Sequence, residues 1–536
     1  MNPGLRRALL AVSGGVLLYA GHPPLGLGPL GLVALAPLLV LARDCAGGER
    51  AVRAGLGWGM LAAAAFFTPL LYWIAVVEPV ALPLLVLSQS AAVAGFVAGM
   101  AAWGDRPWRP VAAVVWWVAL EALRSMAPWG GFPWGVLGYT QHGGGLLLPI
   151  ARTLGVLGVS AACAGVAAAV EEAIHRLRAL RATGPPTRAF GEAAFAAART
   201  PLLGVLVILA AGVLLGGDPP APTGRSLDLA AVQGNDISDT RSLARDSVVE
   251  VAERMTALTE QLAADRAGLP DVVVWPENAL DADPTAGTRP EVTALVHRAL
   301  DALDGTPLLA GMLRTEAGRQ FNTMAELAPD GTVRDVYAKR SLVPFGEFVP
   351  FREHLEWVPA LERAGDFSAG ADPGVFTVAG ARVATVICFE NTFPALTRSQ
   401  VRAGAELLVV STNNASFGLT PASRQHLAFS QMRAVESGRW VVHAGLNGIS
   451  AVVDPQGRVS QQTGLFEQAI IRADLPLVDG TTAFTRTGDL VGPAAMGLGA
   501  AGLAWLLWTG APRTPRRSAP PAASREPGRG EPARSR

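Results

Sequence analysis

Apolar and polar positions alternate along this chain in three different ways. Residues 8–42 carry no Asp, Glu, Lys or Arg, and "GHPPLGLGP" within them reads as a tight turn between two helices. Uncharged or nearly uncharged stretches follow at 54–77, 79–104, 110–126, 146–170 and 200–217, and again at 490–512. A bilayer crossing takes about 20 apolar residues. The pattern therefore predicts eight spans, seven before residue 220 and one near the end, with 110–126 and 200–217 the shortest.

Between 225 and 475 the pattern changes to short β-type runs separated by helical stretches. "LDLAAVQ", "DVVVWPE", "TPLLAGM", "ARVATVICFE", "AELLVVSTNN" and "RWVVHAGL" read as strands, and several end abruptly in a polar residue. "FNTMAELAPDGTVRDVYAKR" reads as a hairpin with Asp330-Gly331 at its turn. "ARDSVVEVAERMTALTEQLAADRAG" and "PASRQHLAFSQMRAVESG" read as helices. Strands alternating with helices predict an α/β domain whose site gathers at the carboxyl ends of its strands. The expected organisation is a membrane region 1–217, an α/β domain 218–488, a closing span 489–512 and a tail 513–536. The tail, with seven Arg and two Glu among Pro, Ala and Ser, has no apolar face to bury and is expected to be disordered.

Composition sharpens this picture. Half of the residues are hydrophobic and 16% are charged, against about 25% in ordinary soluble domains. The formal net charge of zero offers no field for nucleic acid. The placement of arginine is more informative. Arg6 and Arg7, "RDCAGGERAVR", "GDRPWRP" and "HRLRALRATGPPTR" alternate with connections that have no basic residue. By the positive-inside rule, both termini are expected in the cytoplasm and 218–488 outside it; Arg152, at the outer edge of the sixth span, is the one dissenter. The basic start and apolar run of "RRALLAVSGGVLLYA" continue into a second span, so it is read as a retained helix rather than a signal peptide.

Within the α/β domain three residues stand at strand exits. Lys339 is the sole lysine among 44 basic side chains, which suggests a chemical role that a planar, permanently charged guanidinium cannot fill. Cys388, the first residue after "VATVI", is the one cysteine of the domain, Cys45 and Cys163 lying in the membrane region. Glu277 emerges where Pro276 ends "DVVVW". A thiol needs a base or a nearby cation to act as a nucleophile. A carboxylate can take its proton, and an ammonium can stabilise an oxyanion. Metal binding fits poorly, since His297, His354, His426 and His443 form no close ligand pair with one another or with Cys388; no metal and no cofactor are expected.

"WPENAL", "YAKRSLVPFGEFVP" and "VICFEN" together resemble the nitrilase (carbon–nitrogen hydrolase) superfamily, with its Glu–Lys–Cys triad on an αββα sandwich. With the multi-span N-terminal half, "GFPWGVLGYTQ" and the closing span, the chain is similar more narrowly to the apolipoprotein N-acyltransferase family. That resemblance implies Glu277 as general base, Lys339 as oxyanion-stabilising cation and Cys388 as acyl-carrying nucleophile. It implies the Phe389 N–H in the oxyanion hole, Glu347 supporting the site and Glu390 as an acid beside the nucleophile. It further implies a phospholipid acyl donor, a diacylglyceryl-Cys apolipoprotein as acceptor, a monomer and a bacterial inner membrane.

Departures from that pattern are Asn414 and Ser416, where the family commonly has Asp and Trp, and "HAGLNGIS" in place of a Thr-Asn-Thr-Gly pattern. They bear on the substrate groove. The Trp- and Gly-rich "APWGGFPWGVLGY" reads as an arm bordering the site or as an interfacial aromatic cluster. Two rivals remain at this level. One is a membrane-tethered amidase with water as acceptor. The other is a transporter, disfavoured because Glu121, Arg124 and Arg152 lie near span ends, where interfacial pairing is expected.

Overall fold

The computed structural model describes residues 1–47, 50–182, 188–235, 245–355, 357–358, 361 and 364–509; the Arg-rich tail lies outside them. Helices occupy every stretch of the chain expected to span. Pro3–Gly21 is followed by the turn at Pro23-Pro24 and by two pieces, Gly28–Gly31 and Ala36–Cys45. Ala51–Leu70, Ala81–Trp103, Arg109–Arg124, Ala151–Arg181, Arg188–Gly216 and Val491–Thr509 complete the set. Among the described residues, six helical stretches are long and apolar enough to cross a membrane. The two left out are Pro3–Gly21, diluted by Arg6 and Arg7, and the 16-residue Arg109–Arg124, which at 1.5 Å per residue is only about 24 Å long. The short apolar stretch at 200–217 proves to be the second half of a 29-residue helix. Gly55 and Gly59 let two of these helices touch, since a Cβ on either would come within 2.6 Å of the Cα of Ala98 or Ala94. That is the small-xxx-small packing of membrane helices.

The α/β domain is a sandwich of two six-stranded sheets. The strands are β1 (Ser226–Gln233), β2 (Val272–Leu280), β3 (Leu308–Glu316), β4 (Arg319–Leu327), β5 (Val333–Ala338), β6 (Val375–Val378), β7 (Ala381–Ile387), β8 (Leu407–Thr412), β9 (Val441–Gly445), β10 (Ala451–Val453), β11 (Val459–Gln462) and β12 (Ala469–Pro476). Their orders are β12-β1-β2-β3-β4-β5 and β11-β10-β9-β8-β7-β6. The central pairs β1–β2, β2–β3, β7–β8 and β8–β9 are parallel, which explains why their sequences are apolar throughout: both faces are buried. Leu227, Leu229, Val272, Val274, Leu407 and Val409 fill the space between the sheets. Their neighbours Ala230, Val273 and Trp275 turn outward onto helices Arg245–Ala263 and Pro290–Ala302, and Leu408 and Val410 turn outward onto Pro394–Arg402 and Ala422–Ser437. The expected hairpin is present as β4–β5.

Every residue of the helix Ala422–Ser437 except Arg424 is buried, although its sequence is polar on all sides. One face packs on the sheet of β7–β9, while Phe429, Met432 and Val435 join the core of the membrane helices. Its polar side chains are spent across that junction. Gln425 Nε2 donates to the Pro23 and Leu70 carbonyls, and Gln425 Oε1 accepts from Trp134 Nε1 at 2.7 Å. Glu436 Oε1 accepts the Val156 N–H at 2.8 Å, an amide beside the break at Gly155 (φ 68°) in the helix Ala151–Arg181. A Cβ on Gly155 would lie 2.4 Å from the Phe484 ring.

Arg124 lies 4.0 Å from Glu121, the pairing expected of these two near a span end; Glu121, Arg124 and Arg152 have further partners. All three are buried, and they fasten backbone that leaves the regular helices. Arg124 donates to the Phe132 and Trp134 carbonyls and to Gln89, while Glu121 accepts the Leu137 N–H at 2.7 Å. Arg152 donates to the carbonyls of Gly216, Gly217 and Pro455. In the arm so held, Trp134 is enclosed by Trp73, Phe417 and Phe429, and Phe132 stacks on Phe389, the residue after Cys388, with centroids 6.1 Å apart. The arm therefore borders the strand exits.

Candidate active site

Lys339 and Cys388 follow the last residues of β5 and β7, whereas Glu277, expected where Pro276 ends its strand, lies inside β2 at an irregularity that keeps the strand running to Leu280. In β2 the parallel register with β3 shifts between Trp275 and Leu280, across Pro276, Glu277 and the left-handed Asn278 (φ 58°). Such a bulge re-aims a side chain. Gly311 on β3 makes room for it, since a Cβ there would sit 2.3 Å from the Pro276 carbonyl oxygen. Lys339 follows β5, with its N–H on the Asn322 carbonyl at 2.8 Å. Cys388 follows β7 as the first residue of a short 3-10 turn, Cys388–Thr392, at φ 50°. A non-glycine residue held there costs about 1–3 kcal/mol, and the cost turns the thiol out of the strand line.

The structure brings the three together. Lys339, 1% exposed, places Nζ 3.3 Å from Glu277 Oε1 and 2.8 Å from Glu347 Oε1. Asn322 Nδ2 donates to the same two oxygens, at 2.8 and 3.1 Å. The remaining oxygens are also held: the Asn413 N–H donates to Glu277 Oε2 and the Val343 N–H to Glu347 Oε2, each at 2.8 Å. Burial alone would lower the Lys339 pKa, but Glu277 and Glu347 outweigh it and hold the ammonium above its ordinary value. Cys388 is partly exposed. Desolvation and then the Glu277 carboxylate push its thiol up, against the pull of Lys339 and of a hydrogen bond with Thr412. Cys388 therefore rests as a neutral thiol near the Glu277 carboxyl group and the Lys339 ammonium. That arrangement can pass a proton from sulfur to carboxylate as sulfur attacks a carbonyl, and it has a cation ready for the oxyanion.

Glu390, buried in the turn, holds two of these segments in register. Its carboxylate accepts from the Tyr337 hydroxyl, from the Arg340 and Ser341 amides of the lysine loop and from the Ile387 amide before the nucleophile. Among the described residues it has no hydrogen bond to Lys339 or Cys388 themselves. Burial raises its pKa, against those amide hydrogen bonds. Phe389 packs between Phe132 and Phe393, and its N–H lies in the first turn of a helix, where amides have no acceptor within the helix.

Asn322, Asn413 and Thr412 were not singled out from sequence. Asn322 carries a signal only once the register of β4 with β5 is known, because that register sets it beside Lys339. The departures are also placed. Asn414 Oδ1 accepts the Thr412 hydroxyl at 2.8 Å and its N–H donates to Asn447 Oδ1, so an uncharged amide serves as acceptor where an Asp was expected. Asn447 belongs to the divergent "HAGLNGIS", and Ser416 lies in the short turn Ala415–Phe417. Among the described residues no group of three or more His, Cys, Asp or Glu side chains could hold a metal ion.

A family model for the apolipoprotein N-acyltransferase N-terminal domain matches residues 14–169, and the carbon-nitrogen hydrolase model matches 228–483. An apolipoprotein N-acyltransferase of Geobacter metallireducens is 32% identical over 90% of this chain and 92% of its own. One of Gloeobacter violaceus is 33% identical over 92% of this chain and 93% of its own. Among solved structures, an amidase from Nesterenkonia sp. aligns over 47% of this chain and 91% of its own, at 20% identity and a TM-score of 0.34.

Proposed function

This chain belongs to the apolipoprotein N-acyltransferase family, and from that premise we propose that it moves an acyl chain from a membrane phospholipid, through a Cys388 thioester, to the α-amine of a diacylglyceryl-Cys. The observation that carries the mechanism is the strained, partly exposed Cys388 beside a buried Lys339 that is shared by Glu277 and Glu347. Glu277 takes the thiol proton as sulfur attacks the donor ester. Lys339 and the Phe389 N–H hold the resulting oxyanion. The C–O bond breaks, the lysophospholipid alkoxide takes the proton back from Glu277, and the acyl chain stays on sulfur. The acceptor amine then attacks the thioester and passes its proton to Glu277, and the C–S bond breaks as the departing Cys388 sulfur takes that proton, which restores the thiol. The order is ping-pong. Glu347 keeps Lys339 in place, and Glu390 joins the two loops.

Both substrates are anchored in lipid, so a site attached to membrane helices need not extract either of them. The arginine distribution supports eight crossings, with both termini in the cytoplasm and 218–488 outside.

The test is incubation with a phospholipid carrying a tagged acyl chain and no acceptor. The enzyme should become labelled, and neutral hydroxylamine should release the label. Cys388→Ala should stay unlabelled, and a diacylglyceryl-Cys peptide should receive the tag on its amine. Product without labelled enzyme would overturn the covalent route. Discharge of the label only to water would point to an amidase.

A further inference from the structure

The mechanism leaves one buried group beside the nucleophile unused. His426, 1% exposed, reaches out from the helix Ala422–Ser437 and sets Nε2 3.0 Å from the Cys388 carbonyl oxygen. A carbonyl can only accept, so Nε2 carries the ring proton. Nδ1 faces the Thr412 hydroxyl at 3.5 Å. Burial lowers the His426 pKa to about 4, against the Cys388 hydrogen bond and with Lys339 adding to the fall, so the ring is neutral in one tautomer at ordinary pH. The ring is held on its other sides by Trp134, Phe429 and His443. The adjacent Gln425 ties the same helix to the Pro23 and Leu70 carbonyls.

The consequence follows from peptide geometry. In a trans peptide the carbonyl of one residue and the N–H of the next lie in one plane and point opposite ways. Holding the Cys388 carbonyl therefore fixes the direction of the Phe389 N–H. We propose that His426 is a positioning residue for acyl transfer: by gripping the Cys388 carbonyl it keeps the Phe389 amide aimed at the oxyanion. This rests on the covalent reading above.

The test compares two reactions of the same sulfur in the full-length protein in lipid nanodiscs. Iodoacetamide forms a C–S bond as iodide leaves, and no oxyanion develops. A tagged phospholipid acylates through an oxyanion. His426→Ala should slow acylation about 10²-fold, the effect of losing one oxyanion donor, while the alkylation rate stays unchanged. His426→Gln, whose amide N–H reaches near the Nε2 position, should restore most of the acylation rate, and the shorter His426→Asn should not. The Gln/Asn pair carries the test if the alanine variant does not fold. Undiminished acylation in His426→Ala, parallel loss of alkylation and acylation, or equal acylation by Gln and Asn would each overturn the proposal. If the wild type itself never labels, the covalent reading fails as well; labelled wild type with undisturbed His426→Ala defeats only this inference.

Discussion

Lys339→Arg keeps the charge at the site and changes only the shape of the cation. The ammonium occupies a closed space, 1% exposed, with Glu347 Oε1 at 2.8 Å and Glu277 Oε1 at 3.3 Å. Asn322 Nδ2 already fills the second approach to those oxygens. A guanidinium brings three coplanar nitrogens, so it must displace either Asn322 or a carboxylate. Overpacking of this kind costs about 1–3 kcal/mol, small enough to leave a folded protein. Turnover should suffer more. A cation moved off the oxyanion loses about 10²–10³-fold in kcat, or about 3–4 kcal/mol. Lys339→Met separates charge from shape. It leaves the buried Glu277 and the partly buried Glu347 without their cation and should cost about 3–5 kcal/mol of stability. Wild-type Lys339 has a raised pKa, so its stabilising share is complete at neutral pH and is lost only as pH rises through that raised value. The assay is tagged-acyl transfer to a diacylglyceryl-Cys peptide in nanodiscs, with thermal unfolding alongside. Near-normal turnover by Lys339→Arg, or a Lys339→Met protein as stable as wild type, would refute the reasoning.

Three further outcomes are expected. Glu390→Gln keeps one acceptor oxygen for four donors, and each buried donor left unpaired costs about 1–3 kcal/mol; unfolding temperature and turnover should fall together, and unchanged values would show that the carboxylate does not join the two loops. Burial raises the Glu436 pKa from 4.5 to about 7, against Arg433 and the Val156 N–H. A raised carboxylate gives stability that is complete below its unfolded pKa and lost as pH rises through the folded one. Wild type should therefore lose up to about 3 kcal/mol between pH 4.5 and 8 that Glu436→Gln does not lose, and parallel unfolding-temperature profiles would contradict this. Reporter fusions at Gly224 and after Arg536 should report opposite sides of the membrane; a shared side would mean that Val491–Thr509 does not cross.

What the linear chain determined is what local chemistry decides. Uncharged runs long enough to cross a bilayer became helices. Apolar runs of five to eight residues became strands buried on both faces, and Cys388 marked a strand exit while Glu277 did not. Lys339 and Cys388 were legible because a reactive side chain placed after a strand has few other reasons to be there; Glu277 was legible as the acid beside Pro276, although β2 runs on through it. Tertiary structure decided the rest, for a common physical reason: burial of a polar group is settled by its partner, and the partner is distant in sequence. Asn322 gains its role 25 residues from Glu347 and 45 from Glu277. Glu121 and Arg124 are tolerable inside the protein because the arm's amides and carbonyls meet them there. The helix Ala422–Ser437 was legible as a helix, but its sequence has no apolar stripe to show what it packs on. All of it but Arg424 is buried because the sandwich and the membrane helices close on it from opposite directions, each supplying hydrogen-bond partners that no local pattern encodes.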